Sequence, residues 1–168
     1  VVLKVIGDLG VDGALYMAME WTGSTIEAMS MDERMTLTNM AIECGAKSGI
    51  IPADKKTIEY VQKRTRVPFT PVYSDPDAMY AKVLRYDAKN LVPVVAKPFL
   101  PSNVVPARDC RDVKINQAYI GSCTGGKYED FVAAAKVLKG KKKAPHVKLL
   151  IVPATTKIQQ QIIKDGLY

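Results

Sequence analysis

Apolar and polar positions alternate along this chain with two different periods, which predicts a mixture of helices and short strands. Across residues 32–44, Leu37, Met40, Ala41 and Cys44 recur at the helical spacing and form one apolar stripe. Short uninterrupted apolar runs, such as residues 48–51, are typical of buried strands. Because such runs alternate with helical periods, the pattern predicts an α/β fold.

The individual elements follow from the same two periods, together with capping residues and chain breakers. Helices are predicted at residues 3–9, 32–44, 54–64, 77–84, 127–138 and 156–165, and a turn is predicted at 10–13. Strands are predicted at residues 14–20, 48–51, 117–120 and 147–152. Ser30 or Asp32 can cap the best-marked helix, and Gly45 is its predicted end.

Prolines concentrate between residues 92 and 106, where they remove backbone donors and break regular ladders. We therefore predict a domain boundary near residues 97–112, with one α/β unit at 1–104 and the start of a second at 105–168. The second unit contains two predicted strands, whose sheet would have open edges. This predicts that the chain continues in a longer form or packs against another chain.

The composition narrows the function classes. The 168 residues carry a net charge of +7, three cysteines and one histidine, His146. A single histidine makes a histidine-based metal site or a Ser/His/Asp triad difficult to build. The basic balance admits an anionic small molecule or an acidic partner, whereas nucleic-acid binding is not expected, because the densest basic run lacks interleaved aromatic residues. No run approaches the roughly 20 apolar residues of a membrane span, and a cytoplasmic protein is expected.

Cys123 is the main candidate for chemistry, because it lies in a glycine-rich segment between a predicted strand and a predicted helix. Residues 121–128, Gly-Ser-Cys-Thr-Gly-Gly-Lys-Tyr, nearly match a phosphate-binding loop, but Tyr128 stands where that loop needs a Ser or Thr hydroxyl. A nucleophilic cysteine would need a histidine base, and an iron–sulfur ligand would need further cysteines, commonly a Cys-x-x-Cys pair. The chain contains no such pair. On the residues alone, a packing role is favoured and a ligand role stays open.

A polar stripe on the helix at 32–44 is the second candidate. Asn39 and Glu43 are four residues apart, so they would project side by side from an α-helix. A carboxylate beside an amide can orient a substrate hydroxyl or a water molecule. A solvated helix flank is the alternative interpretation.

Taken together, these segments resemble the aconitase family, and the similarity covers essentially the whole chain. It rests on residues 31–46 (MDERMTLTNMAIECGA), 50–54 (IIPAD), 71–75 (PVYSD), 94–98 (VVAKP) and 119–125 (YIGSCTG). The resemblance implies aconitase-like three-layer α/β/α domains, with 1–104 as the family's second domain and 105–168 as the start of the next. Gly125 departs from the family, which commonly has asparagine at that position.

The resemblance also implies a function. It makes Cys123 one of three cysteine ligands of a 4Fe-4S cluster, and it places Asn39 and Glu43 at active-site positions near cluster and substrate. The implied enzyme is a hydro-lyase that isomerises 2-isopropylmalate to 3-isopropylmalate by dehydration and rehydration in leucine biosynthesis. Its implied partners are a small dicarboxylate substrate and a small subunit that carries a swivelling domain, and neither nucleic acid nor membrane is expected. Because the other cluster ligands and the serine base are not in this sequence, the chain alone is expected to be inactive.

Two alternatives remain at this point. The chain could belong to a homoaconitase or an aconitase-type hydratase that acts on another hydroxy acid. It could also be a non-catalytic α/β module that binds an anion or a protein partner through its basic surface and glycine-rich turn.

Overall fold

The computed structural model describes residues 1–167. These residues divide into two units, Val1–Asp109 and a second unit that begins at Cys110. Both units combine helices with short strands, which confirms the α/β fold class. Within the described range, no helix is both long and apolar enough to cross a membrane.

The elements lie close to the predicted ones, with several differences. The α-helices are α1 (Val2–Leu9), α2 (Ser24–Ala28), α3 (Met31–Asn39), α4 (Lys55–Gln62), α5 (Ser122–Gly125), α6 (Tyr128–Leu138) and α7 (Thr156–Lys164). The strands are β1 (Ala18–Glu20), β2 (Ser48–Ile50), β3 (Val94–Ala96), β4 (Val104–Pro106), β5 (Gln117–Gly121) and β6 (Lys148–Val152). Segments of 3₁₀ helix lie at Met40–Cys44, Ala88–Asn90 and Ala107–Cys110.

The first unit is organised around a parallel pair of strands. β1 and β2 align in parallel from Ala18 opposite Ser48 to Glu20 opposite Ile50. The chain crosses between them through α2 and α3, as parallel pairing requires. The predicted apolar stripe faces the core, with Leu37 on α3 and the other three residues on the 3₁₀ segment that follows. α1 covers the same core, whose buried residues are Val5, Ile6, Ala14, Trp21, Ile26, Leu37, Ala41, Cys44 and Ala46.

α3 begins at a capping box. The Ser30 hydroxyl accepts from the Glu33 N–H at 3.2 Å, and the Glu33 carboxylate accepts from the Ser30 N–H at 2.8 Å. The α-helical winding ends at Asn39, earlier than predicted, and the chain continues as the 3₁₀ segment Met40–Cys44. Gly45 then ends the element in the left-handed conformation with a φ of 77°.

The middle of the chain contains the largest differences from the sequence predictions. The helix predicted at residues 77–84 is wrong, because those residues form no helix and are exposed, so no packing supports one. Tyr80 instead donates its hydroxyl to Glu20 at 2.5 Å, and Ser74 donates to the same carboxylate oxygen at 2.8 Å. The proline-rich region was expected to lack ladders, yet β3 and β4 form an antiparallel pair there.

The second unit contains the parallel pair β5 and β6, with Gln117 opposite Lys148 and Gly121 opposite Val152. α6 and α7 contact one another, and the buried apolar side chains of the described part of this unit are Phe131 and Ile162. The helices are also joined at their ends, since the Tyr128 hydroxyl donates to the Asp165 carboxylate at 2.7 Å.

Candidate functional site

The Cys123 turn, defined here as residues 121–126, lies at the carboxyl end of β5. Cys123 is exposed and belongs to the four-residue helix α5. Ser122, immediately before it, has a φ of 76°, a conformation that residues other than glycine seldom adopt. Strained residues of this kind concentrate at functional sites, and ligands of α/β proteins gather at carboxyl strand ends. The position therefore suits a residue that presents a thiol to a ligand.

Two glycines let the Cys123 turn pass close to the end of β6. A Cβ added at Gly121 would lie 2.3 Å from the carbonyl oxygen of Val152, and one added at Gly126 would lie 2.4 Å from the carbonyl oxygen of Ser122. The Gly126 carbonyl accepts from the Ala154 N–H at 2.9 Å, which joins the turn to the chain after β6. A side chain at Gly121 would force the turn away from the end of β6, and one at Gly126 would collide with the turn's own backbone.

Gly126→Ala is expected to destabilise this unit by about 1–3 kcal/mol, because the added methyl group collides with backbone atoms that cannot move away. Gly126 has a φ of −115°, so alanine is compatible with the backbone and the effect is steric. Gly125→Ala is the matched control, since nothing lies within 4 Å of a Cβ at that position. Hydrogen exchange of the β5 amides in the full-length protein measures both variants. Equal protection in the two would contradict the proposed close packing.

Lys127 follows the turn and is buried, with 7% of the residue's surface exposed. Its ammonium donates to the carbonyl oxygen of Thr124, inside the Cys123 turn. Its backbone N–H donates to the Asp130 carboxylate at 2.9 Å, and the Asp130 Oδ2 lies 3.7 Å from the ammonium. A phosphate-binding loop needs its lysine to reach a bound phosphate. Here the lysine is occupied by the backbone of its own turn, which agrees with the mismatch at Tyr128.

The cysteines occupy three different environments. Cys44 is completely buried, and burial raises the pKa of its thiol, so it is a core residue. Cys110 is half-buried and Cys123 is exposed. Within residues 1–167, no three His, Cys, Asp or Glu side chains are grouped as a metal site would require. The described residues therefore offer, at the Cys123 turn, a single thiol.

Asn39 and Glu43 lie in the first unit, on the segment that leads into β2. Both side chains are exposed. Asn39 is the last residue of α3, and Glu43 lies in the 3₁₀ segment Met40–Cys44, where each residue turns by about 120°. In a 3₁₀ helix, side chains four residues apart point about a third of a turn away from each other. The expectation that Asn39 and Glu43 project side by side assumed an α-helix, so it does not apply here.

A cavity of about 230 Å³ lies at the carboxyl ends of β1 and β2. Its walls come from the segments that follow β1 and β2 and from α2 and α3; the lining residues are Trp21, Thr22, Gly23, Ile26, Glu27, Arg34, Ile51, Pro52, Ala53 and Asp54. Among the described residues, the buried Trp21 Nε1 and Arg34 Nε have no hydrogen-bond partner. Both atoms are covered by protein, so the accessible wall of the cavity is mainly apolar.

An ion pair between Arg34 and Asp54 borders this cavity. The guanidinium of Arg34, which is 3% exposed, binds both oxygens of Asp54, at 2.8 and 2.6 Å. Asp54 also caps α4 by accepting from the Thr57 N–H at 2.9 Å. The hydrogen bonds from Arg34, and then the one from the Thr57 backbone, hold the pKa of the Asp54 carboxyl far below its usual range. The pair therefore keeps both charges at neutral pH, which is a structural role that the sequence pattern did not indicate.

Arg34 and Lys56 together bind the last carbonyl groups of α2, which has only five residues. The Arg34 Nη2 donates to the Glu27 carbonyl at 2.8 Å. The Lys56 ammonium donates to the carbonyls of Glu27, Ala28 and Met29, at 2.9, 3.2 and 2.5 Å. These carbonyls have no partner within the helix, so cations at this end satisfy them and favour the helix dipole. We call this arrangement the α2 clamp.

The chain thus combines an α/β fold with an exposed thiol at a glycine-rich strand end. The model of the aconitase family (aconitate hydratase) matches residues 1–111 and 106–168. The chain therefore belongs to the aconitase family, as the sequence resemblance implied.

Several curated relatives are similar to nearly the whole chain. The 3-isopropylmalate dehydratase large subunit of Heliobacterium modesticaldum is 54% identical over 99% of the chain. The chloroplastic large subunit of Arabidopsis thaliana is 52% identical over 96%, and large subunit 1 of Methanopyrus kandleri is 49% identical over 99%. The chain spans 40%, 32% and 40% of the lengths of these three proteins.

Proposed function

We propose that this chain is part of the large subunit of an iron–sulfur hydro-lyase that isomerises 2-isopropylmalate to 3-isopropylmalate. The observation that carries the proposal is a sequence identity of 49–54% to proteins named 3-isopropylmalate dehydratase large subunit. The similarity extends over nearly the full chain. The exposed Cys123 thiol at a strand end supports it chemically. In this proposal, residues 1–104 form the family's second domain and residues 105–168 begin the next.

The donor set at the Cys123 turn suits one position of a 4Fe-4S cluster. Thiolates are the usual ligands of such clusters. Cys123 is exposed, follows a strand and lies in a turn that Gly121 and Gly126 allow to pack closely and that Lys127 binds through the Thr124 carbonyl. We propose that Cys123 is one of three cysteine ligands and that the other two come from the rest of the subunit. The bound cluster supplies a Lewis-acid iron for the substrate hydroxyl and carboxylate groups.

Asn39 and Glu43 are proposed to act on the substrate or on a bound water molecule. Both are exposed, so both can reach a ligand that lies against this surface. An amide can donate to a carboxylate of the substrate and accept from a hydroxyl group, whereas a carboxylate can hold a hydroxyl or water proton. We propose these two side chains as groups that orient the hydroxyl removed in dehydration and returned in rehydration.

The partners proposed for the chain follow from the same relatives. Their names as large subunits support a small subunit as the partner, and we propose that this subunit carries the swivelling domain. The net charge of +7 favours a dianionic dicarboxylate as the substrate. A cytoplasmic location is proposed as well, although one relative is named as chloroplastic.

The test is an assay of the full-length large subunit with its small subunit, after reconstitution with iron and sulfide under anaerobic conditions. We expect interconversion of 2- and 3-isopropylmalate, followed by the ultraviolet absorbance of the alkene diacid intermediate. Homocitrate, citrate and a methylmalate-type acid are assayed alongside. Faster turnover of one of these acids would replace the proposed substrate, and the absence of turnover with all of them would contradict a hydro-lyase.

A further inference from the structure

Lys127 is buried beneath the Cys123 turn, and its burial has an assignable role. It is 7% exposed, whereas the other lysines in residues 110–167 are exposed. Burying an ammonium group is unfavourable unless it gains partners that replace its water. We propose that Lys127 is a positioning residue that holds the Cys123 turn in the conformation that binds the cluster. This inference rests on the proposed function, because it takes Cys123 as a ligand.

The contacts form one continuous chain from the thiol to the lysine. The Cys123 Sγ lies 3.7 Å from the Thr124 hydroxyl, and the Thr124 N–H donates to the Ser122 hydroxyl at 3.3 Å. The carbonyl of the same Thr124 accepts from the Lys127 ammonium. Lys127 therefore restrains Thr124, the residue that directly follows Cys123.

The local backbone explains why the turn needs this support. α5 has four residues, so its last carbonyl groups have no helical partner. Ser122 adds a left-handed φ of 76°, which is unfavourable for a serine. The Lys127 ammonium satisfies the Thr124 carbonyl, and Asp130, 3.7 Å away, offsets its charge. Without the ammonium, the turn loses a side-chain hydrogen bond that connects its centre to the residue just before α6.

The experiment uses the full-length large subunit with its small subunit, loaded with cluster. Lys127→Met keeps most of the length of the side chain and removes the donor. We expect cluster loss in air, followed by visible absorbance, to be at least about tenfold faster, as for changes to groups that orient metal ligands. We also expect an altered electron paramagnetic resonance line shape once the cluster is reduced by one electron to its paramagnetic state. Lys127→Arg restores a donor and is expected to recover the wild-type line shape.

The control variant is Lys136→Met, which makes the same change at an exposed lysine of α6 and should leave both readouts unchanged. If Lys127→Met does not fold, Lys127→Gln replaces it, because glutamine keeps a neutral donor of shorter reach. We again expect faster cluster loss than in the wild type and in Lys127→Arg. Wild-type decay and line shape in the Lys127 variant would overturn the inference. Cys123→Ser is prepared in parallel, because cluster retention in that variant would instead overturn the ligand assignment and hence the proposed function.

Discussion

Replacing Cys123 with serine is expected to lower the turnover of the reconstituted full-length enzyme by at least about a thousandfold, or about 4 kcal/mol of transition-state stabilisation. The thiolate is a strong ligand for iron, and a serine hydroxyl is a poor replacement. The exposed position of Cys123 makes the loss specific, since no core contact is removed. Turnover and visible absorbance of the same preparation are the measurements.

Cys110→Ser is the matched control for this prediction. Cys110 lies in a 3₁₀ segment and is half-buried, so the same substitution there tests the general effect of losing a thiol. We expect that variant to keep its cluster and at least half of its activity. A Cys123 variant that is as active as the Cys110 variant would remove Cys123 from the ligand set.

Arg34→Met is expected to destabilise the first unit by about 2–4 kcal/mol, the largest stability effect among the surface and ion-pair residues described above. The change leaves the Asp54 carboxylate without its cation and the Glu27 carbonyl without one of its donors. Asp54 is 36% exposed, and the water that reaches it keeps the loss below that of a fully buried pair. Hydrogen exchange of the α3 amides in the full-length protein measures the free energy of opening.

The control for this variant is Lys55→Met, which removes a cation that is 91% exposed and lies 3.9 Å from Glu59. Surface pairs of this kind contribute less than about 1 kcal/mol. If the two variants are equally stable, the Arg34–Asp54 pair does not stabilise the fold.

The contribution of the Arg34–Asp54 pair to stability is expected to decrease at acidic pH. Because the folded state depresses the pKa of Asp54, the pair's contribution is fully present above the unfolded pKa of about 4 and is lost as the pH falls below it. Wild-type protein should therefore lose protection in α3 as the pH falls below about 4. Arg34→Met should lose less over the same range, since the depression itself depends on the guanidinium.

The elements that the sequence predicted correctly are those whose signals are local. Ser30, one of the two predicted caps, begins α3, and Gly45, the predicted end, terminates the 3₁₀ segment that continues it. The early end of α3 coincides with a weaker local interaction. The Thr38 hydroxyl donates to the Arg34 and Met35 carbonyls, and such side-chain hydrogen bonds compete with regular helical winding. The exact end of a helix depends on small energy differences of this kind, which the spacing of apolar residues does not reveal.

The contacts that the sequence did not predict join residues far apart in the chain. Arg34 and Asp54 are 20 positions apart, and Glu20 accepts from Tyr80 across 60 positions. Residues 77–84 carry a helical pattern but no buried face, so propensity alone was insufficient to form the helix. In the candidate site, the glycines of residues 121–126 were enough to predict the Cys123 turn. The burial of Lys127 depends on the Thr124 backbone carbonyl, which no sequence motif reveals.

The α2 clamp makes a short helix part of a larger cooperative element. A helix of five residues is not stable on its own, and the two cations that bind its last carbonyls come from α3 and α4. Opening α2 therefore breaks hydrogen bonds made by both neighbours, and loosening the start of α4 releases α2 in turn. Residues 24–57 should exchange with solvent as a single subglobal unit, so the wall of the cavity beside Trp21 opens as a whole or stays closed.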